Sequence, residues 1–267
     1  MAELVFVKLG GSLITDKSVE ATPRLGVIQR LAQEICTVLD KYPDMHLLLG
    51  HGSGSFGHVV AQRYQVQTGC TDWRGYAETS AAASRLNRLV TDAFLAAGVP
   101  VVSLQPSASA RCRGGKLIEL SVYPIQKILE QGLVPLVYGD VAVDELWGST
   151  IISTEIIFSY LAYQLLPQRI ILAGEVRGVY SADPRLDQEA RLIPVIRACQ
   201  MNREIGILGG SHGVDVTGGM LTKVHLMVDL VRNLSGLRVY LLSGLEPGLL
   251  QQALENPDFN PGTLIAC

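Results

Sequence analysis

The sequence has no strong excess of charge and no long apolar run. Its 267 residues carry a net charge of −3, so no bulk attraction to nucleic acid or to an acidic membrane is expected. No uninterrupted apolar run approaches the roughly 20 residues needed to cross a bilayer. The amino terminus also lacks a basic region followed by a long apolar core, so we predict no secretory signal. These absences favour a cytoplasmic globular protein.

Cysteine pairs with metal-type spacing are absent as well. The five cysteines are odd in number and scattered, which favours a reduced interior in which all five are inert, small apolar residues. Repeats, linkers and low-complexity tracts are missing too. A hydrophobic content of 48% with 18% charged residues is that of an ordinary globular chain. The cysteines are Cys36, Cys70, Cys112, Cys199 and Cys267.

Strands and helices alternate from the start of the chain. An apolar strand over 4–9 leads through a glycine turn to a helix over 25–41, a strand over 45–49, and a second glycine turn followed by a helix from Val59. This alternation predicts an α/β protein, a three-layer αβα sandwich with a mainly parallel central sheet. Later helices are predicted over 74–97, about 122–131, 153–166 and 217–233, strands over 99–104, 133–138, 169–173, 239–242 and 263–266, and hairpins over 111–119 and 141–152.

The second glycine turn, residues 51–58, is the most informative stretch. Three glycines and two serines between a strand and a helix let the backbone approach a ligand, and unpaired N–H groups at a helix start favour an anion. His58 could donate a hydrogen bond to a phosphate oxygen. Gly52-x-Gly54-x-x-Gly57 also matches a dinucleotide fingerprint, although no acidic residue ends a second strand about 20 positions on. A plain tight turn is the other alternative, and His51 is expected to be a satisfied strand-end histidine.

Further basic and glycine-rich motifs follow other strands. Lys8 precedes the first glycine turn, Lys17 follows it, Gly139-Asp140 ends a strand, and Lys223 lies in the first turns of a helix opened by Thr217. Ligands of parallel α/β sheets bind at the carboxyl ends of strands, so we expect these residues to meet there. A flexible loop is predicted over 209–213.

Taken in order, these motifs resemble the amino acid kinase superfamily, and His-Gly-x-Gly-Ser-Phe-Gly-His is similar to the motif of the isopentenyl phosphate kinase family. The resemblance covers nearly the whole chain. It implies one amino acid kinase domain over 1–267, with an acceptor-binding part over about 1–165 and a nucleotide-binding part over about 166–267. It further implies ATP-dependent phosphorylation of isopentenyl phosphate to isopentenyl diphosphate for isoprenoid synthesis. Mg²⁺ held largely by the nucleotide and a homodimer formed through the helix over 74–97 are also implied.

The resemblance also implies roles for individual residues. Lys8 would hold the transferring phosphate, Lys17 would stabilise the transition state, and Glu155 would orient the lysines. Gly52 and His58 would bind the acceptor phosphate, and Lys223 would reach the ATP phosphates. The remaining ATP-binding residues would be Leu9, Gly10, Gly11, Ser12, Ser53, Gly174, Gly218 and Gly219. The remaining acceptor-binding residues would be Gly57, Tyr76, Ala83, Gly139, Asp140, Ser153 and Thr154.

Three departures from the family pattern stand out. Ser53 replaces a glycine, Glu155 replaces the usual aspartate, and Gly174-Glu175-Val176-Arg177-Gly178 replaces Thr-Asp-Val-Asp-Gly near the adenosine pocket. The helix around Tyr76 and Ala83, with Ile152 and Ile156 opposite, is the expected wall for a five-carbon tail. A kinase for a phosphonate such as fosfomycin and a non-catalytic nucleotide sensor remain the alternatives.

Overall fold

A computed structural model describes residues 3–70, 72–184, 186–200 and 218–267. The predicted loop over 209–213 and Thr217 lie outside these ranges. In chain order the described elements are β1 (Leu4–Leu9), α1 (Gly11–Ile14), β2 (Thr15–Asp16), β3 (Thr22–Pro23), α2 (Leu25–Lys41), β4 (His46–His51), α3 (Gly54–Arg63), α4 (Arg74–Ala96), β5 (Val101–Ser103), β6 (Arg111–Arg113), β7 (Lys116–Glu119), α5 (Tyr123–Glu130), β8 (Val134–Tyr138), β9 (Asp140–Asp144), β10 (Gly148–Ile152), α6 (Thr154–Leu165), β11 (Arg169–Gly174), β12 (Val195–Arg197), α7 (Gly218–Asn233), β13 (Arg238–Ser243), α8 (Leu249–Glu255) and β14 (Thr263–Ala266).

The central sheet has eight strands in the order β12-β14-β13-β11-β1-β4-β8-β5. All neighbouring pairs are parallel except β13 and β14, which confirms the mainly parallel sheet. Because the sheet order places β1 near the middle, the carboxyl ends of β1, β4, β8 and β11 meet at one edge. The predicted motifs follow these four strands.

Helices cover both faces of the sheet. Along β1, Phe6 packs into the apolar cluster that contains Phe158 of α6 and Met227 of α7. Val5 and Val7 point the other way, into the cluster formed with α2, α4 and α8. Side chains of a strand alternate between faces, so a continuous apolar run supplies both layers of the core. The three-layer αβα architecture is confirmed.

A second sheet, β10-β9-β6-β7, contains both predicted hairpins. Asp144, buried in this sheet, joins their two turns. Its carboxylate accepts backbone N–H bonds from Gly114 and Gly115 in one turn and from Leu146 and Trp147 in the other, at 2.7–3.0 Å. Burial raises the pKa of Asp144, but these four bonds outweigh it, and the net shift is downward.

The structure corrects two predicted boundaries. Helix α3 begins at Gly54, five residues before the predicted start, and the N–H of Gly57 already bonds to the carbonyl of Ser53. Residues 54–57 of the predicted glycine turn therefore form the first turn of a helix. Strand β5 is shorter than predicted, because the N–H of Val99 bonds back to Phe94 at the end of α4.

The cysteine prediction was wrong for two of the five residues. Cys199 and Cys267 form a disulfide, with Cα atoms 4.9 Å apart. Cys36, Cys70 and Cys112 are free thiols, as predicted. The bond joins the short turn after β12 to the residue after β14, and these two strands pair in the sheet. Across the described ranges, no helix is long and apolar enough to span a membrane.

Candidate active site

A cavity of about 680 Å³ opens at the carboxyl ends of the central strands. Its lining combines both glycine-rich loops with the starts of α6 and α7. Most of the predicted site residues meet there: Lys8, Gly10, Gly11, Ser12, Lys17, Gly52, Ser53, His58, Gly139, Ser153, Thr154, Glu155, Gly174, Gly219 and Lys223.

The two glycine loops pack directly against each other. A Cβ built on Gly11 would lie 2.6 Å from the backbone nitrogen of Gly54, and one on Gly52 would lie 2.8 Å from that of Gly11. Gly54 also has a φ of +50°, a left-handed conformation that favours glycine. The backbones following β1 and β4 can therefore approach this closely only without side chains.

Ser53 fits the loop without strain. Its φ of −73° and ψ of −12° are ordinary right-handed helical values. The side chain of Ser53 fills the space next to Gly57, where a Cβ would lie 2.8 Å from that of Ser53. The absence of a side chain at Gly57 therefore makes room for Ser53 one turn earlier. The N–H of Gly57 bonds to the carbonyl of Ser53 within the helix and does not face the cavity.

Three lysines and one carboxylate form the charged part of the cavity. Lys8 lies on the same face of β1 as Phe6, the face covered by α6 and α7, so its side chain reaches Glu155 at the start of α6. Its Nζ lies 2.6 Å from Oε1 of Glu155, and Nζ of Lys223 lies 3.4 Å from the same oxygen. Lys17 is exposed on the β2–β3 hairpin and lines the cavity.

Burial and charge oppose each other in this cluster. Burial raises the pKa of Glu155, but the attraction of Lys8 and Lys223 outweighs it and lowers the pKa to about 2. Burial lowers the pKa of Lys8, and the attraction of Glu155 offsets only part of that shift. Glu155 therefore stays ionised, and its carboxylate attracts the amino groups of both Lys8 and Lys223.

His58 lies in the second turn of α3 and lines the cavity with an exposed side chain. None of the described residues hydrogen-bonds its ring. Because α3 starts at Gly54, the ring stands one turn beyond the glycine loop. It is thus available to a ligand bound between that loop and α3.

His51 is a satisfied strand-end histidine, as predicted. Its ring is fully buried and stacks on Tyr138. The distance from its Nδ1 to the carbonyl oxygen of Gly52 is 3.0 Å. Its own carbonyl accepts hydrogen bonds from the hydroxyl of Thr154 at 2.6 Å and from the N–H of Gly139 at 3.0 Å. Burial lowers the pKa of His51 to about 4, more than its bond to Gly52 raises it.

The hydroxyls of Ser153 and Thr154 have partners inside the protein. Ser153 caps α6 by accepting the N–H of Ile156 at 3.2 Å, and Thr154 donates to His51. Both residues line the cavity, so the start of α6, rather than two free hydroxyls, faces a ligand.

Five predicted residues lie outside the cavity lining, and the surroundings of a sixth, Gly218 at the start of α7, fall outside the described part of the structure. Leu9 and Ala83 are buried in the core, Gly57 packs on Ser53, and Tyr76 is half-buried on α4. Asp140 is buried behind Gly139, where its carboxylate accepts the N–H bonds of Ser107 and Val141. Burial raises the pKa of Asp140, and these bonds only partly offset the increase.

Sequence reasoning missed part of the lining. Arg24, at the start of α2, forms an ion pair of 2.9 Å with Glu175, which lines the cavity. These residues are 151 positions apart, so no local signal connects them. Other lining residues that the sequence did not single out include Val59, Ile151, Tyr180, Asp183, Pro184 and Met220, whereas Val176 belongs to the segment expected near the adenosine pocket. No group of three His, Cys, Asp or Glu side chains that could hold a metal occurs in the described part of the chain.

Comparison with known proteins agrees with this geometry. The profile of the Amino acid kinase family matches residues 3–243. Isopentenyl phosphate kinase of Methanothermobacter thermautotrophicus is 34% identical over 261 residues, covering 94% of this chain and 95% of the relative. The enzyme of the same name from Methanocaldococcus jannaschii is 34% identical over 235 residues, covering 84% and 86%.

Solved structures give the same result. A crystallographic isopentenyl phosphate kinase superimposes with a TM-score of 0.84 at 31% identity, covering 99% of this chain and all of the other. A product complex of the Thermoplasma acidophilum enzyme gives 0.79 at 27% identity, covering 98% and 99%. The chain therefore belongs to the amino acid kinase family and, within it, to the isopentenyl phosphate kinases.

Proposed function

We propose that this chain transfers the γ-phosphoryl group of ATP to isopentenyl phosphate, giving isopentenyl diphosphate and ADP. The observation that carries the proposal is the arrangement of Lys8, Lys17 and Lys223 around two touching glycine loops, with His58 beside the second loop. Two polyanions must approach each other in this reaction. Three lysines line the cavity, and Glu155 is paired with two of them. Because the lysines outnumber this carboxylate, they give the local positive charge that the approach requires.

The acceptor needs no general base. A phosphate monoester has a second pKa near 6, so at neutral pH its oxygen is already mostly deprotonated. That oxygen attacks the γ-phosphorus of ATP as the bond to the β-phosphate oxygen breaks and ADP leaves. His58 then serves as a hydrogen-bond donor that fixes the acceptor phosphate, while Lys8 and Lys17 neutralise the moving phosphoryl group.

Mg²⁺ would accompany the nucleotide. Mg²⁺ commonly keeps several waters and binds through substrate phosphates with one or two carboxylates. Glu155 and Glu175 are engaged with Lys8 and Arg24, so the phosphates of the nucleotide and bound waters would supply most of the ligands. Bound Mg²⁺ would supply charge neutralisation on the phosphates.

The acceptor tail would lie against apolar side chains. Val59, Ile151 and Ile152 line the cavity, whereas Tyr76 and Ala83 of α4, the wall expected from the sequence, lie outside its lining. We place the tail along these three lining side chains and propose that the cavity beside them also admits longer prenyl chains. Turnover of isopentenyl and geranyl phosphates would test this, and rejection of geranyl phosphate would contradict it.

The remaining proposals concern organisation and location. We place acceptor binding in about 1–165 and nucleotide binding in about 166–267 of one domain, since His58 lies in the first part and Lys223 in the second. A homodimer through α4 is supported by the exposed Trp73 and Leu95 near its two ends. Light scattering of the purified chain would test the dimer. A cytoplasmic location fits substrates such as ATP.

An acceptor screen with coupled detection of ADP tests the function. Isopentenyl phosphate should give turnover dependent on both ATP and acceptor, and fosfomycin should give little. Preferred turnover of fosfomycin would replace the proposal with a phosphonate kinase. ATP binding without turnover of any phosphate acceptor would instead indicate a nucleotide sensor.

A further inference from the structure

The ring of His51 is buried next to the second glycine loop, and each of its two nitrogens makes one hydrogen bond. Nδ1 lies 3.0 Å from the carbonyl oxygen of Gly52, and Nε2 lies 3.1 Å from Nδ2 of Asn87. The side chain is fully buried and its ring plane is 8° from that of Tyr138. It is therefore held at both nitrogens and on one face.

The hydrogen-bond partners determine which nitrogen carries the proton. The Gly52 carbonyl can only accept, so Nδ1 must donate. Nε2 then accepts from the amide NH₂ of Asn87, whose Oδ1 accepts the hydroxyl of Ser103. When the ring is neutral and protonated on Nδ1, every donor in this series of hydrogen bonds, from Ser103 to Gly52, meets an acceptor. A pKa lowered to about 4 agrees with a neutral ring.

The direction of the Gly52 carbonyl has a consequence for the next amide. In a trans peptide the C=O of one residue and the N–H of the next point in opposite directions. The carbonyl of Gly52 points inward to the buried ring, so the N–H of Ser53 points outward, to the cavity that Ser53 lines. Among the described residues, the Ser53 amide has no acceptor.

We infer that His51 is a positioning residue, whose Nδ1–H holds the Gly52 carbonyl inward and thereby aims the Ser53 N–H at the reacting phosphates. Ser53 lies between the loop of Gly11 and His58, where donor and acceptor meet. The bond to Gly52, rather than the bond to Asn87, is the one that activity requires. The inference rests on the proposed function for its choice of acceptor.

Two substitutions separate the bonds of the two nitrogens. The amide of asparagine replaces Nδ1, so His51→Asn keeps a donor for Gly52. The amide of glutamine reaches the Nε2 position, so His51→Gln keeps only the bond to Asn87. We expect His51→Asn to retain kcat within threefold and His51→Gln and His51→Ala to lose at least tenfold, with both KM values within threefold of wild type.

A merely structural role would act differently. Both amides lose the same ring stacking, so their unfolding midpoints should fall by similar amounts, and only the proposed role separates their kcat values. His51→Gln turning over as fast as His51→Asn, or faster, would overturn the inference.

A second measurement does not depend on turnover. In ¹H–¹⁵N spectra, inorganic phosphate should shift the Ser53 amide resonance in wild type and His51→Asn but not in His51→Gln. Imidazole ¹⁵N shifts should show Nδ1 protonated. Failure of wild type with isopentenyl phosphate would reject only the proposed function, whereas a ring protonated on Nε2, or equal phosphate shifts in both variants, would reject the inference.

Discussion

Glu155 lies 2.6 Å from the ammonium group of Lys8, and both groups are buried. The longer side chain that replaces the family's aspartate therefore still reaches its lysine. The same oxygen is 3.4 Å from Lys223, so one carboxylate joins β1, α6 and α7 at the cavity. The ion pair is part of both the fold and the site.

Removing the negative charge of Glu155 should lower both the stability of the fold and the activity of the site. Glu155→Gln leaves Lys8 buried without a counter-charge, and breaking a buried pair costs about 3–5 kcal/mol. We expect that loss in the free energy of unfolding by denaturant titration, and a fall in kcat of at least tenfold. Glu155→Asp keeps the charge and should lose less than half as much stability. Equal losses in the two variants would show that the charge itself is unimportant.

His58 should matter for the acceptor more than for ATP. A hydrogen bond to a charged group is worth about 1.5–3 kcal/mol, which corresponds to roughly 10- to 150-fold. We expect His58→Ala to lower kcat/KM for isopentenyl phosphate by that factor, with the KM for ATP changing much less. His46→Ala, at the opposite end of β4, is the matched control. An unchanged rate for His58→Ala would remove His58 from the site.

Acid should destabilise the fold through His51. Its folded pKa of about 4 is below the unfolded value near 6.5, so the unfolded chain binds the extra proton between these values. Stability is therefore fully present above pH 6.5 and falls as the pH drops towards 4, by about 3 kcal/mol for this group. The difference between wild type and His51→Asn in unfolding free energy should shrink over that window. A constant difference would refute a neutral buried ring.

Two threonines on α4 should respond oppositely to valine. Thr79 is buried and its hydroxyl has no hydrogen-bond partner among the described residues, whereas that of Thr91 donates to the carbonyl of Asn87 at 2.8 Å. Removing an unsatisfied hydroxyl is neutral or stabilising, and removing a satisfied one costs about 1 kcal/mol. Thermal unfolding should rank Thr79→Val at or above wild type and Thr91→Val below it. The reverse order would mean that Thr79 has a bound water.

The disulfide should make stability depend on reducing agent. Cys199 and Cys267 are separated by 68 positions, and closing a loop of that length is worth about 4 kcal/mol in the chain-entropy treatment. Cys199→Ser and Cys267→Ser should lower the unfolding free energy equally, with no further loss in the double variant. Cys36→Ser is the control for a free thiol. Peptide mapping without reduction that finds free thiols at both positions would contradict the bond.

The sequence predicted helices and strands well where apolar residues repeat at a regular spacing. Helix α2 occupies 25–41 as predicted, because its apolar residues repeat at helical spacing and Pro43 follows its end. Both hairpins were predicted from their turns, one centred on Gly114-Gly115 and the other near Glu145 to Gly148. Helix α3 was placed too late because glycine-rich sequence, which usually indicates a turn, here forms the first helical turn. Packing between the loops overrode local propensity.

The site was predicted less evenly than the fold. Motifs adjacent to strand ends, such as Lys8 and the loop over 52–54, were correctly expected to meet, because parallel strands end at one edge. Distant pairs carry no such signal, so the contact of Arg24 with Glu175 and the bond between Cys199 and Cys267 could not be predicted from spacing. Side-chain surroundings were equally hidden: Asp140 follows a strand end, yet its carboxylate accepts the N–H of Ser107 and lies outside the cavity lining.

The contact between Gly11 and Gly54 limits how this enzyme can be redesigned. Because the two backbones touch at Gly11, Gly52 and Gly54, a side chain introduced at any of these positions must displace the facing loop. Nucleotide preference and acceptor preference therefore cannot be evolved independently by mutagenesis within these loops. Libraries aimed at new substrates should leave both turns intact and diversify the cavity walls at Val59, Ile151 and Val176 instead.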